Sequence, residues 1–532
     1  MNDVAAEVEQ ALDPPLGLDD SPSKESRDGW PALLRRIAAR GPGAPLPASS
    51  DPAADFIRRW TIHARAEAAT RFPLLGCVGE AASAALLNDL AEELTDDADP
   101  VLRLEASAFR TALQGPFAGW FASDDSAVSG PSDPDAELFR WVREEGWATI
   151  LRRHPFLARA LTIRTQHWLD ATAEFLERLS DDLPLLQARF APDGGAFRIL
   201  ELDGRRSDRH RGGRSVVEMR LSSGGAVFYK PRPVAAEVAF GVLIDWLRAR
   251  GFEYEGRLPT VIDRGSYGWM EGVTRSPCTS TQEFALYYRQ AGLLLAFFHG
   301  LGSTDVHFDN LIAAGPHPVP VDLETLVGPV LGSGGARSPA TAPEIAAQAL
   351  ASSVLRTSLL PMWHPPPGPG SVSQDIGGFG TGSGVTGARR HLPRTDGGEV
   401  ADPVQWMPAL LEGFDAGYRV LEEHRGALSD PSGPLGQLHD APVRVVLRDT
   451  RIYERLRKAG LEPGFTHATA ERRQLYRPLF PDPDHDPSSG EWRLAQAEME
   501  SLERGDIPSF AVTGDSTAVM DDVGRIFGAG GT

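Results

Sequence analysis

Apolar residues recur every three or four positions from about residue 55 to 192, through FIRRWTIHARAEAATRF, AASAALLNDLAEEL and ELFRWVREEGWATILRRHPFLARALTIRTQHWLDATAEFLERL, with interruptions near 96–99 and 123–135. That period predicts an all-helical N-terminal unit. Before it, residues 1–54 are rich in Pro, Ala, Gly and Ser, and WPALLRRIAAR alone has a helical period, so a mostly disordered leader with one short helix is expected. After it the period falls to two in FRILEL, SVVEMRL and AVFYK, the last two separated by SSGG, which predicts a hairpin within a small β-rich lobe over 193–275. The helix VAAEVAFGVLIDWLRAR follows within that lobe. Residues 282–298 are apolar nearly all round, between a capping box at Ser280-x-x-Glu283 and Gly300, and this marks a buried helix.

Next, NLIAA and PVPVDL read as short strands joined by GPHP. Residues 327–400, dense in Gly, Pro and Ser, are too long for a simple connection. They are expected to be an activation-type functional segment, helical around APEIAAQALASSVLRTSLL, closing a lobe over 276–400. Residues 401–532 read as helix-rich with a strand at VRVVLRD. The fold class expected is α+β.

A chain of 532 residues exceeds what one hydrophobic core usually supports, so two or three packed units are expected. Its net charge of −20 leaves no basic surplus to neutralise phosphates, which argues against nucleic acid or an anionic membrane as the main partner. Cys77 and Cys278 have no Cys or His neighbours at ligand spacing, so neither a disulfide framework nor a zinc site is expected. The N-terminus lacks a signal-peptide pattern and no run approaches the roughly 18 apolar residues of a membrane span, so a cytoplasmic protein without membrane insertion is expected. Lys24, Lys230 and Lys458 are the only lysines in a chain that otherwise uses arginine.

Chemistry concentrates in STDVHFDNLIAAGPHPVPVDLETL, residues 303–326. Phosphoryl transfer from Mg·ATP needs a carboxylate near the attacking hydroxyl, plus a second carboxylate and an amide oxygen to hold the metal. Asp305 and Asn310, five residues apart after a buried helix, with Asp322 twelve further on and His307 between, fit that spacing. Lys230 ends a strand where a compact ammonium could meet phosphate. Its acidic partner is either Glu237 on the following helix or none, Glu237 then being a surface residue. SDRHRGGRSV adds Asp208, His210 and the pair Gly212–Gly213, where backbone could approach a phosphate. Asp309, His317 and Glu324 read as surface or supporting residues.

SDRHRGGRSV, YKPRP, DVHFDNLIA, PVDLETL, SVLRTSLLP, VRVVLRDTRIY and AEMESLERGDIPSF, in that order, resemble the motifs of the dehydratase domain of class II lanthionine synthetases (LanM type). LRRHPFLARAL resembles that family's N-terminal region, and the likeness runs from about residue 55 to 525. The resemblance implies a lipid-kinase-like, two-lobed core between a helical N-terminal unit and a helix-rich elimination region. It implies that ATP phosphorylates Ser or Thr of a ribosomal precursor peptide carrying a leader, and that the phosphate is then eliminated to dehydroalanine or dehydrobutyrine. By motif, Asp305, His307, Asn310 and Asp322 serve phosphorylation, with Asn310 and Asp322 on Mg²⁺. Asp208, His210 and Lys230 line the phosphate region, and Arg444 and Thr450 serve elimination.

Arginine suits a leaving phosphate, while the base for the Cα proton stays open between Lys230 and His210. Ser207 stands where many relatives have glycine. No Cys/His cluster for the catalytic zinc of a cyclase occurs, so ring closure is expected to need a separate cyclase partner, the chain being a free-standing dehydratase, a truncated product or an excised domain. Two other readings compete: a kinase of a peptide, lipid or small molecule without elimination, and an inactive leader-binding remnant.

Overall fold

The hairpin expected from period-two patterning is where the chain divides. In the computed structural model, which describes residues 4–12, 29–41, 52–73, 75–114, 134–191, 197–328, 341–364, 374–380, 390–438, 441–481, 489–513 and 518–527, the strands Val217–Leu221 and Ala226–Lys230 fall in different compact units. One unit comprises residues 1–223 and 447–508, and the other 224–446 and 509–532. Each unit thus draws on two separate stretches of chain, an arrangement the five sequential segments expected from composition do not contain. Both helix and sheet are well represented, as the α+β class requires.

The first unit is built on the helices Arg58–Arg71, Glu80–Gln114 and Pro155–Phe190, to which residues 447–508 add Thr450–Ala459, Thr469–Tyr476 and Gly490–Glu503. Its core holds Trp60, Leu90, Leu94, Leu161 and Leu179, all fully buried, and the indole of Trp60 donates to Thr162 Oγ1 at 3.2 Å. The break expected near 96–99 is absent, because Glu80–Gln114 runs through it. Asp97 there pairs with Arg164 and Arg457 of neighbouring helices, and Asp99 with Arg103 one turn on, so both acids have cationic partners while the helix continues. Where one short helix was expected, the described residues of the leader include Val4–Ala11 as well as Gly29–Arg40, with Val8, Leu34 and Ile37 fully buried. The rest of the leader up to residue 51, and the second expected break as far as residue 133, lie outside the described residues.

In the second unit, Ala226–Lys230, Gly268–Glu271 and Val261–Asp263 form an antiparallel ladder in which Lys230 pairs with Gly268. The buried helix is Gln282–Leu301, with Phe284, Tyr287, Tyr288, Leu294 and Phe298 nearly inaccessible. Its cap differs from expectation. Glu283 reaches back to the backbone N–H and the hydroxyl of Thr279, both at 2.8 Å, and the left-handed terminating residue is Gly302 (φ 67°). Helix Met407–Glu423 packs so closely on it that a Cβ on Gly292 would lie 2.0 Å from the Leu410 carbonyl oxygen, and one on Gly413 2.0 Å from that of Arg289. Only glycine permits this approach, and the buried helix is thereby fixed as the floor under residues 303–326.

Those residues form the expected strands, Leu311–Ala314 and His317–Pro320, paired antiparallel. Residues 442–445, overlapping the strand expected at VRVVLRD, pair with 510–513, followed in order by 519–521 and 526–527, and these last three strands are ones the C-terminal pattern did not predict. Helix Ala342–Ala351 lies where the long segment was expected to be helical. Residues 329–340, 365–373 and 381–389 of that segment lie outside the described residues. Among the described residues no helix is long and apolar enough to cross a membrane.

Candidate active site

Lys230, at the end of its strand, is buried and makes three contacts: Glu237 Oε1 at 3.0 Å, the Val321 carbonyl at 3.1 Å and Asp322 Oδ1 at 3.3 Å. Glu237, in the first turn of helix Ala235–Arg248, has a side chain only 1% exposed, so it is the partner of Lys230 and no surface residue. Two residues beyond Lys230, Arg232 spans three carboxylates. It donates to Glu237 Oε1 at 2.8 Å, pairs with Asp322 Oδ1, and places Nε 3.1 Å from Glu324 Oε2. Glu324 in turn binds the guanidinium of Arg444, and its carbonyl accepts from the Arg444 backbone N–H at 3.0 Å. Lys230, Arg232 and Arg444 are thus balanced one for one by Glu237, Asp322 and Glu324.

Desolvation alone would raise the three carboxyls. The cations outweigh it: Lys230 and Arg232 hold Asp322 far below the usual carboxylate range, Arg232 and Lys230 lower Glu237, and Arg444 and Arg232 lower Glu324. All three are therefore anions at neutral pH. Asp322 Oδ1 takes both of its cationic contacts, and Oδ2 has no hydrogen-bond partner among the described residues.

The loop after the buried helix is pinned from below. Ser303 Oγ donates to the Leu326 carbonyl, Thr325 Oγ1 to the Thr304 carbonyl at 2.6 Å, and Val306 N–H to the Thr357 carbonyl at 2.9 Å. Asp305 is held at φ 64°, a left-handed conformation that costs a non-glycine residue about 1 kcal/mol. Its carboxyl, 39% exposed, lies 3.6 Å from His307 Nε2. Desolvation raises its pKa, opposed by His307 and Arg444. His307 Nδ1 accepts the Asp309 N–H at 3.2 Å, so in the neutral ring the proton sits on Nε2, facing Asp305. Asn310 Nδ2 donates to the Asp305 carbonyl at 2.9 Å, which closes the loop and leaves Oδ1 as the oxygen available to a cation.

The second unit thus brings together Lys230, Asp305, His307, Asn310, Asp322 and Arg444 of the expected residues. Arg232, to which the pattern gave no role, and Glu324, read as a surface or supporting residue, join them. For Mg²⁺, a hard cation that keeps several waters and takes few protein ligands, Asp322 Oδ2 and Asn310 Oδ1 are chemically fitting. No group of three His, Cys, Asp or Glu side chains able to hold a metal occurs among the described residues, so phosphate oxygens and water would complete such a site.

Residues 154–391 and 385–513 match a family described as a domain of unknown function, DUF4135. The chain belongs to that family. In Lactococcus lactis subsp. lactis, the lacticin 481/lactococcin biosynthesis protein LcnDR2 is 28% identical over 169 residues, which cover 30% of this chain and 18% of that protein.

The remaining expected residues of this DUF4135 chain belong to the first unit. Asp208 is exposed. His210 Nδ1 lies 2.7 Å from the Ile507 carbonyl, so it carries a proton and leaves Nε2 as the lone-pair nitrogen of the neutral ring. Arg211, Gly212 and Gly213 are all left-handed (φ 50°, 82° and 78°), and the amides of Gly212 and Gly213 point into one cup. That cup holds the carboxylate of Asp506, at 2.7 and 2.8 Å. In this structure the glycine amides thus bind a protein carboxylate where a phosphate was expected. Asp506, fully buried in the motif ERGDIPSF, has a partner that spacing could not show. Ser207 accepts from Val216 N–H at 2.9 Å and donates to the Asp208 carbonyl at 3.0 Å, so the serine braces the loop where glycine was expected. Thr450 is the first residue of helix Thr450–Ala459, behind the capping Asp449, and the strand expected through VRVVLRD ends at Val445.

Proposed function

We propose that this protein dehydrates Ser or Thr side chains of a ribosomal lanthipeptide precursor, by ATP- and Mg²⁺-dependent phosphorylation followed by elimination of the phosphate. The observation that carries this reading is the pairing of Arg444 with Glu324, because it sets an arginine against the same cluster that holds Lys230 and Asp322. A phosphotransferase alone has no evident use for that arginine. The name of the Lactococcus relative, a lacticin 481/lactococcin biosynthesis protein, supports the same class of substrate.

In this reading the second unit is a lipid-kinase-like core, and Mg·ATP supplies the phosphoryl group. Asp305, with His307 beside it, receives the proton of the attacking hydroxyl. Asp322 and Asn310 would hold the metal, and Lys230, fixed by Glu237, would neutralise phosphate oxygens. The cluster's cations are matched by its own carboxylates, so positive charge for a nucleotide must come with the metal or from Arg444 and Arg232 changing partner. Elimination breaks the Cβ–O bond, with Arg444 on the leaving phosphate and the Cα proton passing to a base. The base for the Cα proton stays open between Lys230 and His210. The resemblance assigns Asp208 to the phosphate region and Thr450, with Arg444, to elimination.

The test is the mass of a candidate precursor peptide after incubation with the protein, ATP and Mg²⁺. Successive losses of water support the reading. A stable gain of phosphate reduces the protein to a kinase, and an unchanged peptide with any precursor favours an inactive binding protein.

A further inference from the structure

Three arginines of the second unit are brought together by backbone pairing. Ser276 N–H donates to the Ala313 carbonyl at 3.3 Å, Ala313 N–H to the Arg390 carbonyl at 2.8 Å, and Cys278 N–H to the Arg394 carbonyl at 2.7 Å. Residues 275–278, strand Leu311–Ala314 and residues 390–394 are therefore neighbours, and each of the outer two stretches carries arginine. Arg275 is half-buried. Its Nη2 donates to the Leu392 carbonyl at 3.0 Å, while its Nε is buried without a hydrogen-bond partner. Arg390 and Arg394 are exposed, and both repel the charge on Arg275, whose pKa burial has already lowered.

None of the three has an ion pair among the described residues, although Asp396 and Glu399 lie on the same stretch of chain. Elsewhere in this unit comparable arginines are matched, as Arg289 is with Glu253 and Glu412, and Arg257 with Glu271. Holding like charges together with one of them partly desolvated is unfavourable unless an anion arrives from outside. Arg390 also acts on the carboxyl of Asp309, which lies between His307 and Asn310, so the cluster borders the catalytic loop.

We propose that Arg275, Arg390 and Arg394 form a docking site for carboxylate side chains of the polypeptide substrate, beside the loop bearing Asp305, His307 and Asn310. The proposal rests on the peptide-substrate reading above. It does not depend on either chemical step. Planar guanidiniums suit carboxylates geometrically, and exposed pairs add modest affinity that salt screens.

The probes are a fluorescein-labelled peptide with Glu at alternate positions and no Ser or Thr, and its Gln counterpart, followed by anisotropy with the full chain. The Glu peptide is expected to bind more tightly, with an affinity that falls as salt rises. The double variant Arg390→Gln/Arg394→Gln, whose side chains are exposed, is expected to lose about tenfold for the Glu peptide and to match the parent for the Gln peptide. Arg275→Gln should act in the same direction, with its urea midpoint measured alongside to exclude unfolding. Equal affinity for the two peptides, or an unchanged double variant, overturns the proposal. So does a double variant that loses ATP binding and keeps the peptide. A protein that binds the Glu peptide through these arginines yet dehydrates nothing would remove the proposed reaction and leave the docking site standing.

Discussion

Arg444 is fastened to Glu324 twice, guanidinium to carboxylate through the side chains and backbone N–H to carbonyl oxygen at 3.0 Å. The backbone bond holds the position of Arg444 even when its side chain lets go. In the proposed elimination the cation changes partner, from Glu324 to the leaving phosphate, without moving its strand.

Replacing Glu324 by Gln tests that latch. The substitution leaves Arg444, 16% exposed, without its counter-charge, and we expect a stability loss of about 1–3 kcal/mol in urea unfolding. If the latch restrains elimination, a phosphopeptide should turn over faster in Glu324→Gln than in the parent. An unchanged rate would show that the pair serves folding alone.

Arg444→Ala separates the two proposed steps. Phosphopeptide is expected to accumulate while the dehydrated product is lost. The same variant should also move Asp305, because Arg444 opposes the raised pKa of that carboxyl. The acid limb of the pH–rate profile for phosphorylation is expected to shift to higher pH in Arg444→Ala. A shift to lower pH would mean that another group sets the limb.

Much of this arrangement was legible in the chain. The strands around Lys230, the buried helix and the paired strands after Asn310 follow from period and turn residues, and the spacing of Asp305, Asn310 and Asp322 follows from the local loop. The pairing of Arg444 with Glu324 was not legible, since a contact across 120 positions leaves no local period. Arg232 carries no local mark of its own, since arginine is abundant here and only a rare lysine such as Lys230 stands out. The partners of Asp506 and Glu324 leave no local signal either, because a carboxylate's partner is set by tertiary packing. The split of each unit into two stretches likewise reflects long-range pairing, with residues 510–513 returning to 442–445.

Stability should respond to pH in a definite sense. Glu237, Asp322 and Glu324 have folded pKa values below their unfolded ones, so the unfolded chain binds protons first as pH falls. Their stabilisation is complete above the unfolded values of about 4 and is lost as pH drops through the folded values. Urea midpoints are expected to be level from about pH 7 to 5 and to fall below about 4. Asp305 acts oppositely: its raised pKa means that ionisation costs stability as pH rises, so Asp305→Asn is expected to stabilise the protein at neutral pH. A destabilised Asp305→Asn would contradict that assignment.

Gly213→Ala probes the loop that encloses Asp506. A Cβ there meets the Cβ of His167 at 2.5 Å with φ at 78°, so both crowding and backbone strain oppose it. A loss of about 2–4 kcal/mol is expected in denaturant unfolding. Tolerance of alanine would mean that the loop differs from the conformation described.

Whether one polypeptide both adds and removes phosphate is decided by the time course of peptide mass after a single addition of ATP and Mg²⁺. We predict a phosphopeptide that rises and then falls as peptide lighter by one water accumulates, with neither species formed by Asp322→Ala. A phosphopeptide that rises to a plateau and stays, with no dehydrated peptide behind it, would mean that the protein is a kinase without elimination.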